Sequence, residues 1–161
     1  MANQVINVTA GSQAILSLGN TSTLAEPDNA NAMKIPFLQD ISISAAPGTV
    51  KYSVLDSSAS KAFTTVNENS VSGNMLVDED AFFGNASITL NSVGINGLFA
   101  TSVAKTEIYF SVAFEGTDSG DHYIEGSGFI GGLAPTASMD AAVWLTPIEI
   151  ICSSELTAKT I

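Results

Sequence analysis

The stretch that decides the fold is 106–150. It reads TEIYFSVAFEG (106–116), a polar link TDSGDH (117–122), YIEGSGFIGGL (123–133), a small-residue turn APTAS (134–138) and MDAAVWLTPIEI (139–150). In the first run Ile108, Phe110, Val112 and Phe114 share one face, and Glu107, Tyr109, Ser111, Ala113 and Glu115 the other. Apolar alternation with a period of two, bounded by Gly, Asp and Ser, predicts strands with one buried face joined as antiparallel neighbours. Nothing in the stretch has the pattern of chemistry; it has the pattern of building material.

The same pattern extends toward the N-terminus. QVINVTA and QAILSLG read as two short strands split by Ala10–Gly11, and a polar loop follows near 19–33, with Pro27 and a run of Asn and Asp. Ile41 and Ile43 alternate with serines. Val50, Tyr52 and Val54 share a face after the Ala46–Pro47–Gly48 turn, so these two runs are expected to form a hairpin. A second polar loop is expected near 56–70, either an ordinary surface loop or the tip of an extended hairpin. Val71, Met75 and Val77 then mark another strand face.

One helix is expected, near 91–105. Ile95, Leu98, Phe99 and Val103 recur at helical spacing, with Asn91 or Ser92 as cap, although Gly94 and Gly97 each cost about 1 kcal/mol in a helix interior. Pro147 lacks an N–H and is expected at a sheet edge or a bulge. Trp144, the only tryptophan, is expected to anchor a core or a subunit interface.

At 161 residues the chain suits one domain, taken as 1–161. Hydrophobic residues make up 45% and charged residues only 13%, which excludes disorder. A mean hydropathy of +0.30 is high for a monomer, yet no apolar run approaches the roughly 20 residues that span a bilayer. Small apolar residues among Ser, Thr and Gly fit a β protein that hides surface in an assembly, or one with a broad solvent face.

Charge narrows the function classes. Sixteen acidic residues stand against five lysines and no arginine, for a net charge of −11. Tight nucleic-acid binding needs cations against phosphate, and anionic membranes repel such a surface. A single cysteine, Cys152, excludes an intrachain disulfide and reads as a small buried thiol. The N-terminal MANQVINVTAG lacks the pattern of a signal peptide, so Asn7, Asn20 and Asn85 in N-x-S/T triplets are chance matches.

Chemistry-bearing residue types cluster at four places in the chain. Asp78–Glu79–Asp80 is a dense carboxylate cluster, but without the spacing of a calcium loop it reads as a solvated turn. Glu115, Asp118 and Asp121 surround Ser-Gly, ordinary turn composition. His122 with nearby aspartates and serines has the letters of a triad, but triads are matters of geometry. The string Glu125-Gly126-Ser127-Gly128 lies in a strand and cannot make a nucleophile elbow. The sequence therefore assigns no catalytic, cofactor or metal residue, and no enzyme is expected.

The order of these elements resembles the major tail tube proteins of long-tailed bacteriophages. The likeness is most detailed where Gly126, Gly128, Phe129 and Ile130 stand at the positions of a G-x-G/A-F-(I/V) strand, with LAPTAS (133–138) at the following turn. LQDISISA resembles the family's early strand, VSGNMLVD its middle strand and SVGINGLFATSVAK its single helix. One departure is clear: the family commonly closes with G-T-G-x-L, where this chain has Cys152-Ser153-Ser154-Glu155-Leu156.

The resemblance implies a mainly β, antiparallel sandwich or barrel-like protomer with one short helix, assembling through its sheet edges into rings. In the family such rings are hexameric and stack into a hollow tube. It further implies a structural virion protein in the tail, assembled in the host cytoplasm. Its partners would be copies of itself, other tail proteins at the tube ends, and a genome passing an acidic lumen without specific binding. No membrane, small-molecule substrate or cofactor is implied. Two other readings stay open: another virion β protein, such as a capsid decoration or tail-completion protein, and an adhesive or carbohydrate-binding sandwich.

Overall fold

The computed structural model describes residues 14–53, 60–87, 90–140 and 142–161. The readings that fall on QVINVTA, Asn7, Val54 and the first part of 56–70 lie outside the described residues. In chain order the elements are β1 (Ile15–Gly19), α1 (Ser22–Ala25), β2 (Met33–Lys34), β3 (Leu38–Tyr52), β4 (Lys61–Leu76), α2 (Glu79–Phe83), α3 (Ser92–Val103), β5 (Ile108–Ala113), β6 (His122–Leu133), β7 (Thr136–Ala137), β8 (Trp144–Cys152) and β9 (Thr157–Thr160). The strands form one antiparallel sheet in the order β2-β1-β5-β6-β8-β4-β3, with β7 added to β8 and β9 to β6.

The alternation in 106–116 sets the centre of this sheet. Ile108, Phe110 and Val112 are buried to within 1% of full enclosure. Each contributes roughly 2 kcal/mol of apolar burial, which together matches the net stability of a small domain. They share one core with Leu16 and Leu18 of β1, Val71 and Met75 of β4, and Ile148 and Ile150 of β8. Ile130 of β6 and Val93 and Leu98 of α3 complete that core. Gly126 and Gly128 permit close packing here. A Cβ at Gly126 would sit 2.9 Å from the Phe110 ring, and one at Gly128 only 2.2 Å from the Ile151 carbonyl oxygen.

Three expectations are corrected. The hairpin with its turn at Ala46–Pro47–Gly48 is instead one continuous strand. β3 runs through all three residues, with a bulge between Pro47 and Thr49, and pairs with β4 from Leu38↔Met75 to Tyr52↔Lys61. Proline is tolerated because β3 is an edge strand, where every second N–H faces away from the sheet. Of the two forms expected near 56–70, the surface loop gives way over 61–70 to the extended hairpin, with these residues in β4 and paired with β3. The polar loop near 19–33 also contains α1, capped by the Thr21 hydroxyl accepting from Leu24 N–H, and the short β2.

Three helices replace the single one expected. α2 and α3 meet backbone to backbone at Gly84 (φ 97°) and Gly97 (φ 79°), where a Cβ on Gly97 would lie 2.4 Å from Gly84 N. Gly97 also breaks α3, so the stripe Ile95, Leu98, Phe99, Val103 does not stay on one buried face. Leu98 is fully enclosed, whereas Phe99 and Val103 are exposed. Phe99 instead stacks on Phe82 of α2 at 5.8 Å.

Asn91 joins these helices to the sheet. It is fully buried; its Oδ1 accepts from Val93 N–H at 3.2 Å, and its Nδ2 donates to Leu18 O at 2.9 Å and Asn31 O at 3.0 Å. Substituting it removes a helix cap and leaves two carbonyls short of a partner. Asn91→Ala is expected to lower unfolding free energy by about 3 kcal/mol, read as a shift of the denaturant midpoint at unchanged slope. A loss below about 1 kcal/mol would show that the bridge to Leu18 and Asn31 carries no stability.

Candidate assembly surface

β4 has two neighbours only over part of its length. Ser70–Met75 pair with both β3 and β8, whereas among the described residues 61–69 find partners in β3 alone. The distal parts of β3 and β4 therefore leave the sheet as a two-stranded arm. Residues 61–68 are all exposed. In-register partners lie on the same face, so Val50↔Phe63 and Tyr52↔Lys61 share one, and Lys51↔Ala62 lies on the other. Tyr52 and Phe63 pack as a tilted ring pair at 6.0 Å yet remain 44% and 53% exposed. A free two-stranded ribbon of this kind is marginal in water without further cover.

The second open surface is the outer face of β3, β4, β8 and β6. Register aligns Ser42↔Ser72↔Glu149↔Gly132 across the four strands, and Asp40↔Asn74↔Pro147 across three. Asp40 is held in place by Asn74, whose backbone N–H and Nδ2 donate to its carboxylate at 3.0 and 2.8 Å. Ile151 and Phe129 are its exposed apolar members. Among the described residues no acidic side chain is buried, and the only ion pair is Lys159–Glu125 at 2.7 Å. The carboxylates thus remain a surface charge.

The residues weighed for chemistry are dispersed into structural duties. Asp78–Glu79–Asp80 is no open turn: Asp78 caps α2, accepting from Ala81 N–H at 3.1 Å, and the next two acids begin that helix, where its dipole favours them. Asp118 and Asp121 tie their own turn, Asp118 N–H donating to Asp121 Oδ2 at 2.9 Å. His122 sits at the exposed start of β6, its Nδ1 2.9 Å from the Thr160 hydroxyl, so the letters of the triad are not brought together. Cys152 is half-buried, and desolvation pushes its thiol pKa up, away from a reactive thiolate.

Two structural readings shift. Pro147 is not at an edge; it lies in the central strand β8, where β6 has ended at Leu133↔Ile148 and β7 begins only at Thr136↔Leu145. That gap leaves no ladder partner on one side for a missing N–H to deprive. Trp144 is 57% exposed and so anchors no core of this chain.

Where the closing motif of the resemblance is absent, a polar clasp takes its place. Ser127 and Ser153 both donate their hydroxyls to Glu107 Oε1, the former at 2.9 Å. Ser127 N–H donates to Ser154 Oγ at 2.8 Å, and Ser153 N–H to Ser127 O at 2.8 Å. The chain then turns to add β9 beside β6. No sequence motif signals this clasp; its members are scattered over 107–154.

No protein-family model matches the sequence, and no curated protein matches it. Similar solved structures share the fold across nearly the whole chain. A chain of a gene transfer agent tail with C6 symmetry is 14% identical, over 95% of this chain and 100% of that one, with a TM-score of 0.61. A chain of the tube-terminating cap of the anti-feeding prophage is 16% identical over 100% of both, also at 0.61. A chain of the SPP1 tail tube is 10% identical, over 96% of this chain and 80% of that one, again at 0.61. At these identities the likeness is one of fold.

The clasp has a pH signature. The hydroxyls of Ser153 and Ser127 favour the charged form of Glu107 and hold its pKa below the ordinary carboxylate value. A depressed folded-state pKa adds stability that is present above the unfolded value and lost as pH falls through the folded one. Glu107→Gln is therefore expected to lower the thermal midpoint at neutral pH, with the difference closing as the solution is acidified below the range of free carboxylates. A midpoint difference independent of pH would remove the charge from the explanation.

Proposed function

We propose that this chain is the structural subunit of a viral or virus-like tail tube, acting by assembly and not by catalysis. The observation that carries the reading is the fold, shared over 95% of the chain or more with chains of tube-forming tails, one of them of sixfold symmetry. The physical features agree with it. An arm with exposed strand edges is an aggregation liability in a monomer, and ring closure and stacking turn it into a contact. A sixfold ring stacked head to tail uses heterologous interfaces that repeat without limit along an axis.

In this reading the open face of β3, β4, β8 and β6 lines the lumen. Its small hydroxyl-bearing side chains and its carboxylates, Glu149 and Asp40 among them, offer a passing nucleic acid no cation to hold. The arm reaches the adjacent ring. A capsid decoration or tail-completion protein would share the composition but would not polymerise into tubes. Partners at the tube ends, and assembly in a host cytoplasm, belong to the same proposal.

Negative-stain images of the purified protein are expected to contain hollow tubes or rings with a central channel; monodisperse monomers or trimers would overturn the assignment. Deleting 57–62 shortens the arm without touching the core, and is expected to yield rings or monomers that do not polymerise. Normal tubes from that variant would remove the arm from the ring-to-ring contact. Glu149→Lys is expected to leave tubes intact but to slow ejection of a packaged genome, and unchanged ejection kinetics would count against a lumen-facing Glu149.

A further inference from the structure

Between the start of β1 and the outermost strand β3 lies an apolar groove of about 690 Å³. Ala14, Ile41, Ile43, Val112, Phe114 and Ile124 form its walls, and only Asp40 among its lining residues is charged. Ile41 and Ile43 pack against the core yet stay half-buried, as do Phe114 and Ile124. β3 stands last in the strand order, so its outer side has no ladder partner among the described residues. A strand edge beside half-covered isoleucines is a surface that another segment completes.

We propose that the groove is the seat of this chain's own residues 4–10, laid along the outer side of β3 with Ile6 and Val8 against Ile41, Ile43 and Phe114. Three observations select that occupant. Ala14 is itself a wall of the groove, so the chain that precedes β1 leaves from inside it. The eight steps from Ile6 to Ala14 reach up to about 28 Å, and Gly11 allows the turn back. Ile6, Val8 and Ala10 alternate onto one side of an extended chain, which gives the segment an apolar face. Residues 1–13 contain no Asp, Glu, Lys or Arg, whereas a second copy would bring a net charge of −11 to the same contact. Attachment through Ala14 also makes the contact intramolecular, which favours it over any free partner. The proposal does not depend on the chain forming a tube.

The test places cysteine pairs across the contact in the full chain, with Cys152→Ser removing the native thiol. Ile6→Cys or Val8→Cys is combined in turn with Ile41→Cys or Ile43→Cys. Val8→Cys with Trp144→Cys, a position off the groove, is the control. A disulfide needs Cα atoms within about 7 Å of each other, so bond formation reports contact. Non-reducing electrophoresis and peptide mass spectrometry distinguish a bond within one chain from a bond between two. A second pair of variants separates the two faces of the segment. Ile6→Asp/Val8→Asp charges the apolar face, and Asn7→Asp/Thr9→Asp makes the same change of charge on the opposite face, with the thermal midpoint as readout.

At least one of the four groove pairs is expected to close within a single chain, at about tenfold or more the yield of the control. A bond found only between two chains, rising with protein concentration, would overturn the proposal by assigning the groove to a second copy. No bond above the control in any of the four pairs would overturn it as well. Ile6→Asp/Val8→Asp is expected to lower the thermal midpoint by about 5 °C or more, and Asn7→Asp/Thr9→Asp to stay within about 2 °C of the wild type. Equal shifts in the two variants would overturn the seating of Ile6 and Val8 by assigning the effect to charge. Images without rings or tubes would remove the tube reading and leave these outcomes unchanged.

Discussion

The structure depends on the pairing of β8 with β4. Among the described residues, only the register Ser70↔Ile151 to Leu76↔Leu145 joins the β3–β4 ribbon to the rest of the sheet. That seven-residue ladder fixes which part of β4 belongs to the body and which part stands free. It also places Val71 and Met75 against Ile148 and Ile150 in the shared core. The residues on the other face of the same ladder, Ser72, Asn74 and Glu149 among them, remain open. One set of hydrogen bonds thus sets the core, the open face and the root of the arm.

Electrostatics and packing divide the work. The interior is held by apolar burial and a few fully satisfied polar groups, of which Asn91 is the clearest. The surface carries the charge, with no arginine to fork onto a carboxylate. Copies of a chain with this net charge repel each other at long range.

The sequence made the centre of the sheet legible because its alternation was undiluted. Ile108, Phe110 and Val112 point inward as their spacing requires, but Ser111 and Ala113 on the expected open face are buried too, Ser111 donating its hydroxyl to Ala25 O of α1; Asn91 caps α3 where a cap was expected. The arm was harder to read because 61–70 alternates weakly and is rich in Asn, Ser and Thr, a composition that turns and two-sided exposed strands share. Pro47 and Gly48 added a false turn. Proline breaks a central strand but not an outermost one, and position in the sheet cannot be read from neighbours in the chain. The Glu107 clasp left no signal, since Glu107, Ser127 and Ser153 meet only through strand order.

The sheet order has a consequence for timing. β3 and β4 are made early in the chain, yet the neighbour that fixes β4 from its second side is β8, more than sixty positions later. Such distant pairings form slowly, after the local ones. Until β8 docks, the ribbon has no rigid base, and an arm without a base cannot present its face at a defined angle. The late strand therefore fixes the angle of the arm only once the rest of the sheet is in place.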